Sequence, residues 1–386
     1  MLKSATNRRR FITLATVVLL AGCKVVPTGT TGTPPPPDKG PNAGMLPTDS
    51  ERHRVALLVP LAGPNGPVGQ SIANAATMAL LDTNSQNLRI TTYDTSAGAA
   101  AVTAKAIADG NKLILGPLLA NDIPAIAAAA RAARVPLVSF SNDEGAARDN
   151  VFIMGVLPSA SIARTVTYAR AHGASRYAAL IPSGEYGERA SAALFTAVRA
   201  GGGSVIATES FERTNASVVG AARRLRAKGG FDAVLIADGG RIASQAAAPL
   251  RAPAAGAAPR ILGTELWSGE SIVATTPALR GAWFSAVSDT RFRQFSASYK
   301  TRFGAQPYRI ATLGYDAVLL TLRVARDWRP GSQFPTARML DSGGFIGLDG
   351  AFRFRSNGVI ERALEVREVG AQGVTVVSPA AEQFGQ

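Results

Sequence analysis

From residue 53 to about residue 263, short apolar runs of strand length alternate with longer Ala-rich runs of helical length. Few folds accept such a pattern. Val55-Ala56-Leu57-Leu58-Val59, closed by Pro60, is apolar throughout, so it reads as a strand buried on both faces. A loop with Gly63, Pro64, Gly66, Pro67 and Gly69 follows, then a helix expected over 71–81. Further strands are expected at 89–93, 112–115 and 136–140, with helices at 99–108 and 123–133. The series then restarts with a helix at 162–171. Strands at 177–181, 204–208, 233–236 and 260–263 follow, separated by helices that include 188–200 and 216–227. Strand–helix–strand units imply right-handed crossovers and parallel sheets covered on both faces. Two series of similar size imply two doubly wound, Rossmann-like α/β lobes. No sequence motif is shared between them.

The last third departs from this rhythm. A strand is expected at 283–287, with helices at 292–303 and 311–328. Residues 351–355 and 363–368 then alternate around Ser356-Asn357-Gly358, as in an antiparallel hairpin turned by Asn-Gly.

The N-terminus reads as an export signal. Lys3 and Arg8-Arg9-Arg10 form a basic head, and residues 11–21 are apolar apart from Thr13 and Thr16. A membrane-spanning helix needs about 20 apolar residues, so this run has the length of a signal-peptide core instead. Leu20-Ala21-Gly22-Cys23 resembles the lipobox of bacterial lipoproteins, which implies cleavage before Cys23 and a lipid on its thiol. Arg8-Arg9-Arg10-Phe11-Ile12 fits a twin-arginine signal or a plain basic head equally well. Lys24, rather than an Asp, implies sorting to the outer membrane of a Gram-negative envelope. Residues 24–50, with Pro34-Pro35-Pro36-Pro37, are too poor in apolar side chains to fold and read as an extended linker.

Removing residues 1–23 takes the formal charge from +14 to +10. The excess is dispersed as single Arg residues, a pattern unlike a nucleic-acid footprint. With Cys23 committed to lipid, no cysteine is left for a disulfide, a metal or nucleophilic attack. His53 and His172 are the only histidines, and both read as surface residues. No metal-spaced cluster, cofactor fingerprint or catalytic constellation is present, and the chain reads as a non-enzyme.

Several ordered motifs carry a resemblance. Pro60-Leu61-Ala62-Gly63-Pro64-Asn65 with Gly69-Gln70, Asp94, Ile114-Leu115-Gly116-Pro117 and Glu185-Tyr186-Gly187-Glu188 resemble the leucine-binding type of periplasmic binding protein, fold type I. So do Phe231-Asp232-Ala233-Val234, Tyr308-Arg309-Ile310-Ala311 and Tyr315-Asp316-Ala317. The resemblance implies one domain over 51–376 with a ligand cleft between its lobes, followed by a tail at 377–386. Lobe one would hold about 53–157 and 284–341, and lobe two about 158–283 and 342–376. It also implies candidate ligand contacts. In lobe one these are Asn65, Leu119, Ser139, Ser141, Asn142 and Tyr308. In lobe two they are Tyr186 as a stacking ring, Asp238 facing an ammonium, and Glu265, with Trp267 on the same loop.

The loop 116–121 lacks the hydroxyls with which amino-acid binders of this family hold a carboxylate. Gly343-Gly344-Phe345-Ile346-Gly347-Leu348-Asp349-Gly350, followed by Phe352-Arg353-Phe354, looks like the subgroup called penicillin-binding protein activators. That implies a peptidoglycan synthase as partner. The other reading is the receptor of an ABC importer, with a permease as partner and an amino acid or related solute as ligand.

Overall fold

A computed structural model describes residues 51–253 and 257–385. The expected signal segment with Cys23, and the stretch 24–50, lie outside the described residues.

The chain opens with β1 (His53–Val59), α1 (Gly66–Asp82), β2 (Leu88–Asp94), α2 (Ala99–Ala108), β3 (Leu113–Leu115), α3 (Ile123–Ala132), β4 (Leu137–Ser139) and β5 (Val151–Ile153). These strands form a parallel sheet in the order β2-β1-β3-β4-β5. Its central strands are buried on both faces, as their unbroken apolar character requires. Strand β5 was not expected: three residues in a loop-like context give too short a pattern to see. Helix α1 starts five residues before its expected start, because Pro67 sits in the first turn, where a missing N–H costs nothing.

After a first crossing come α4 (Pro158–Ala171), β6 (Arg176–Pro182), α5 (Glu185–Ala200), β7 (Ser204–Phe211), α6 (Asn215–Lys228), β8 (Ala233–Ile236), α7 (Gly240–Arg251), β9 (Arg260–Leu262), α8 (Ser271–Thr275) and β10 (Trp283–Ala286). Their order, β7-β6-β8-β9-β10, repeats the winding of the first lobe. One local device is repeated too. In each lobe the first strand leads into a proline, Pro60 or Pro182, whose carbonyl touches a glycine in the next helix, Gly69 or Gly187. A Cβ at either glycine would collide with that carbonyl oxygen. The lobes therefore share a motif after all, one of contact rather than of spacing.

A second crossing leads to α9 (Thr290–Phe303) and α10 (Thr312–Ala325), then to β11 (Phe345–Gly347), β12 (Gly350–Phe354) and β13 (Ile360–Arg362). A third leads to β14 (Glu365–Gly370) and β15 (Gly373–Ser378), which extend the second sheet, β14 antiparallel to β10 and β15 antiparallel to β14. Three expected boundaries shift. Strand β10 lies wholly in the second sheet, so the return to the first lobe comes after residue 286, not at 284. Residues 345–362 belong to the first lobe's core rather than the second's. Phe354 meets Phe152 edge-on at 5.2 Å, and Val359 bridges to Ile153 at the sheet's edge. Burying each such ring is worth roughly 1.5–3 kcal/mol, which holds the segment on the first lobe. Strand β15 also runs past the expected start of the tail at 377.

The Asn-Gly hairpin forms, with Gly358 at φ +81°, but its second arm is β13. His53 is buried, not superficial: it stacks on Trp328 at 4.1 Å, and burial lowers its pKa. His172 does sit at the surface, closing α4 with its Nδ1 2.8 Å from the Tyr168 carbonyl.

Candidate functional site

Loops from the carboxyl ends of β1, β3, β4 and β9 converge on a cleft of about 480 Å³ between the two lobes. Ligands bind at this end of open α/β sheets. Asp94 sets the first loop by accepting hydrogen bonds from Leu61 N–H (2.8 Å) and from Ser96. Those bonds favour the ionised carboxylate and lower its pKa. Asn65 follows at the N-cap of α1 and makes no side-chain cap bond, so its amide is free to face the cleft.

Five sequence-derived candidates line this space: Asn65, Leu119, Ser141, Asn142 and Glu265. The other four do different work. Ser139 is fully buried, donating to the Pro117 carbonyl (2.9 Å) and accepting from Ser141 N–H (3.1 Å), so it ties two loops together. Asp238 is committed to Arg213 Nε at 2.7 Å and to Gly239 N–H, which leaves it poorly suited to an ammonium. Tyr308 is 48% exposed and outside the cleft. The Tyr186 ring is no stacking platform at the cleft wall. It stands behind the wall, where its hydroxyl reaches Glu265 Oε1 (3.0 Å) and Thr264 Oγ1 (3.1 Å). Burial, then the Glu265 charge, push its pKa up. Trp267 belongs to the core, donating from Nε1 to the Asp238 carbonyl.

Glu265 is the most unusual group in the cleft. Tyr186 holds Oε1, but Oε2 is buried without a hydrogen-bond partner. The neighbouring Ser161 hydroxyl is directed to the Ser285 carbonyl (2.7 Å). Burial raises the Glu265 pKa to about 7. Around it the walls are largely apolar, with Val68, Leu118, Phe140, Val287 and Ile310.

Sequence reading missed Arg309 and Asp349, which also line the cleft. Arg309 Nη1 donates to Asp349 Oδ1 at 2.7 Å, and its Nε lies 3.4 Å from Asp289 Oδ1. Burial works against the Arg309 cation, but the charges of Asp349 and Asp289 outweigh it and raise the pKa. Asp289 passes the chain of charges on to Arg367 Nη1 (2.6 Å), and Arg367 Nε donates to Glu365 (2.7 Å). This ladder runs from the cleft floor through the second crossing into β14. Arg309 had stood one residue from the chosen Tyr308. Its signal was a lone Arg opening a helix, which no local pattern separates from a surface charge.

Residues 53–374 match the family described as periplasmic binding protein. The chain is a periplasmic binding protein. Its lobes and parallel sheets are those of the type I, leucine-binding form of that family. An uncharacterized protein of Rickettsia prowazekii, RP748, is 28% identical over 173 residues. The match takes in 44% of this chain and 46% of that protein, so the chain spans about half the length of this curated relative. Among solved structures, a putative branched-chain amino acid ABC transporter protein of Rhodospirillum rubrum aligns with TM-score 0.72 and 20% identity, covering 84% of this chain and all of its own. A leucine-binding protein of Thermotoga maritima aligns with TM-score 0.62 and 18% identity, over 85% and 98% of the two chains. At such identities the likeness is one of fold. In this periplasmic binding protein, no group of three or more His, Cys, Asp or Glu side chains among the described residues could hold a metal ion.

Proposed function

We propose that this periplasmic binding protein is an outer-membrane lipoprotein of the penicillin-binding protein activator kind. In this reading it is anchored through Cys23 and acts by docking on a peptidoglycan synthase rather than by delivering solute to a permease. One observation carries the reading: the cleft's one cationic side chain is already paired, so an amino acid's carboxylate finds no free countercharge there. Arg309 is neutralised at 2.7 Å by Asp349, and the loop after β3 offers Leu118 and Leu119 where hydroxyls would be needed. A buried carboxylate left without a paired charge costs several kcal/mol, so such a ligand would gain little here. The lipobox, the Lys24 that follows it and the Pro-rich linker fit an anchored regulator better than a receptor working at the inner membrane.

The importer reading has one observation of its own: Glu265 lines the cleft of about 480 Å³ and keeps Oε2 buried without a partner. A thermal-shift screen of the twenty amino acids against the protein separates the two. The activator reading expects no saturable shift, together with capture of a bifunctional synthase from detergent-solubilised membranes. A saturating rise of several degrees with one amino acid would overturn it, since a ligand at about 100 times its Kd adds about 2.7 kcal/mol to stability.

A further inference from the structure

The first lobe has a second concavity, separate from the interlobe cleft, where the outer end of α10 meets the edge strand β11. Two adjoining hollows of about 270 and 240 Å³ share Arg323 and Phe345. Leu320 and Phe352 make the floor of the larger one. Ile346 on β11 is 56% exposed and Leu340 is 41% exposed. Single apolar side chains in water need no explanation. One that lines an apolar hollow, beside a rim of guanidinium groups, does.

That rim is Arg323, Arg326 and Arg338. Arg323 and Arg326 are exposed, and neither forms an ion pair among the described residues. Arg338 pairs with Asp327 at 3.3 Å, with both side chains more than half exposed. Such a pair is worth about 1 kcal/mol or less, so an incoming carboxylate could displace it. The other carboxylates of the walls are committed to backbone donors, Asp316 to Leu348 N–H and Asp341 to Gly343 N–H. The dipole at the end of α10 accounts for a cation in its last turn, worth about 0.3–1 kcal/mol. It does not account for Arg338, which comes from another segment, or for Ile346 in water.

We propose that this groove docks an acidic segment of a protein partner, with an apolar side chain seated beside Ile346 and carboxylates on Arg323 and Arg326. Charge complementarity selects that occupant. A second copy of a chain with formal charge +10 after loss of residues 1–23 brings the same sign and is repelled. An anionic bilayer meets a convex basic face well but leaves a concave apolar hollow unfilled. The inference rests on the docking reading above only for what kind of protein supplies the segment.

The test places the photo-crosslinker benzoylphenylalanine at position 346 of the full-length protein in its own cells. The expected result is an adduct whose crosslinked peptide, found by mass spectrometry, is rich in Asp and Glu. Its yield should fall about tenfold or more in an Arg323→Glu, Arg326→Glu background, a loss equal to about 1.4 kcal/mol. The thermal midpoint of that double variant should match the parent. A dimer of this chain, a lipid adduct, no adduct, or an adduct insensitive to the double variant each overturns the groove. Synthase capture that survives the double variant removes the groove and leaves the docking function standing. Failure of the unaltered protein to capture a synthase removes that function, while the crosslink still decides the groove.

Discussion

Arg367 and Glu265 are both charged side chains withdrawn from water near the carboxyl ends of the second sheet, and their surroundings treat them in opposite ways. Arg367 is 5% exposed and donates to Glu365, Asp289, the Ser268 hydroxyl and the Val287 carbonyl at 2.6–3.2 Å. Glu265 Oε1 accepts from Tyr186, and its Oε2 stays buried without a partner. The first arrangement is closed: the arginine joins β14 to the second crossing and has little left for a ligand. The second is open, and its cost shows in the raised pKa. A buried charge with every valence filled marks architecture, whereas one with a valence left over marks a place where something else can bind.

The largest expected effect breaks the closed side. Arg367→Met keeps much of the side-chain volume but strands the buried Glu365, and it leaves the partly exposed Asp289 with Arg309 alone. Removing one partner of such a pair costs about 3–5 kcal/mol, mainly because the remaining charge is left uncompensated. Urea unfolding at neutral pH should show that loss. A drop below about 1 kcal/mol would mean that the ladder is held elsewhere, as in an ordinary surface pair.

A smaller effect of opposite sign tests the open side. Glu265 titrates at about 7 in the folded chain against an ordinary value of 4.5. Below pH 4.5 the carboxyl is protonated folded and unfolded, and it carries no penalty. Between 4.5 and 7 the unfolded chain releases the proton and the folded chain keeps it, so stability falls as pH rises. Glu265→Gln removes this term. The variant should therefore gain on the parent through that window by up to about 3 kcal/mol, then run parallel above pH 7. A difference that does not change with pH would show that Glu265 is solvated and that the cleft is not dry.

These two residues also show what could be read from the chain beforehand. The lobes were legible because runs such as 55–59 and 233–236 state their burial locally, by period alone. Glu265 was legible as well, standing just after a strand where a cleft loop must lie. The ladder was not. Arg309 and Asp349 are 40 residues apart, and Asp289 joins Arg367 across 78. Nothing local distinguishes these charges from dispersed surface arginines. The same limit moved residues 345–362 to the other lobe, since Phe354 finds Phe152 only through the tertiary fold.

The smallest expected change lies at the mouth of the cleft, where the comparison becomes a question of motion. Arg189 on α5 reaches Asp143 of the loop after β4 at 3.6 Å, and so links the lobes. Both side chains are about a quarter exposed, and Arg189 also leans on Glu185 in its own helix at 3.7 Å. Arg189→Gln should therefore alter unfolding free energy by less than about 1 kcal/mol. Its effect should appear in the spacing of the lobes, because this contact joins a helix of the second lobe to a loop of the first. Spin labels on cysteines introduced at exposed Ala128 and Ala192, in a Cys23→Ser chain, would report that spacing. The variant should show a broader, longer distance distribution, as expected of a hinge relieved of one restraint. An unchanged distribution would place all control of the opening in the buried arginine ladder, and the contrast between a closed hinge and an open cleft would then extend to the whole interlobe motion.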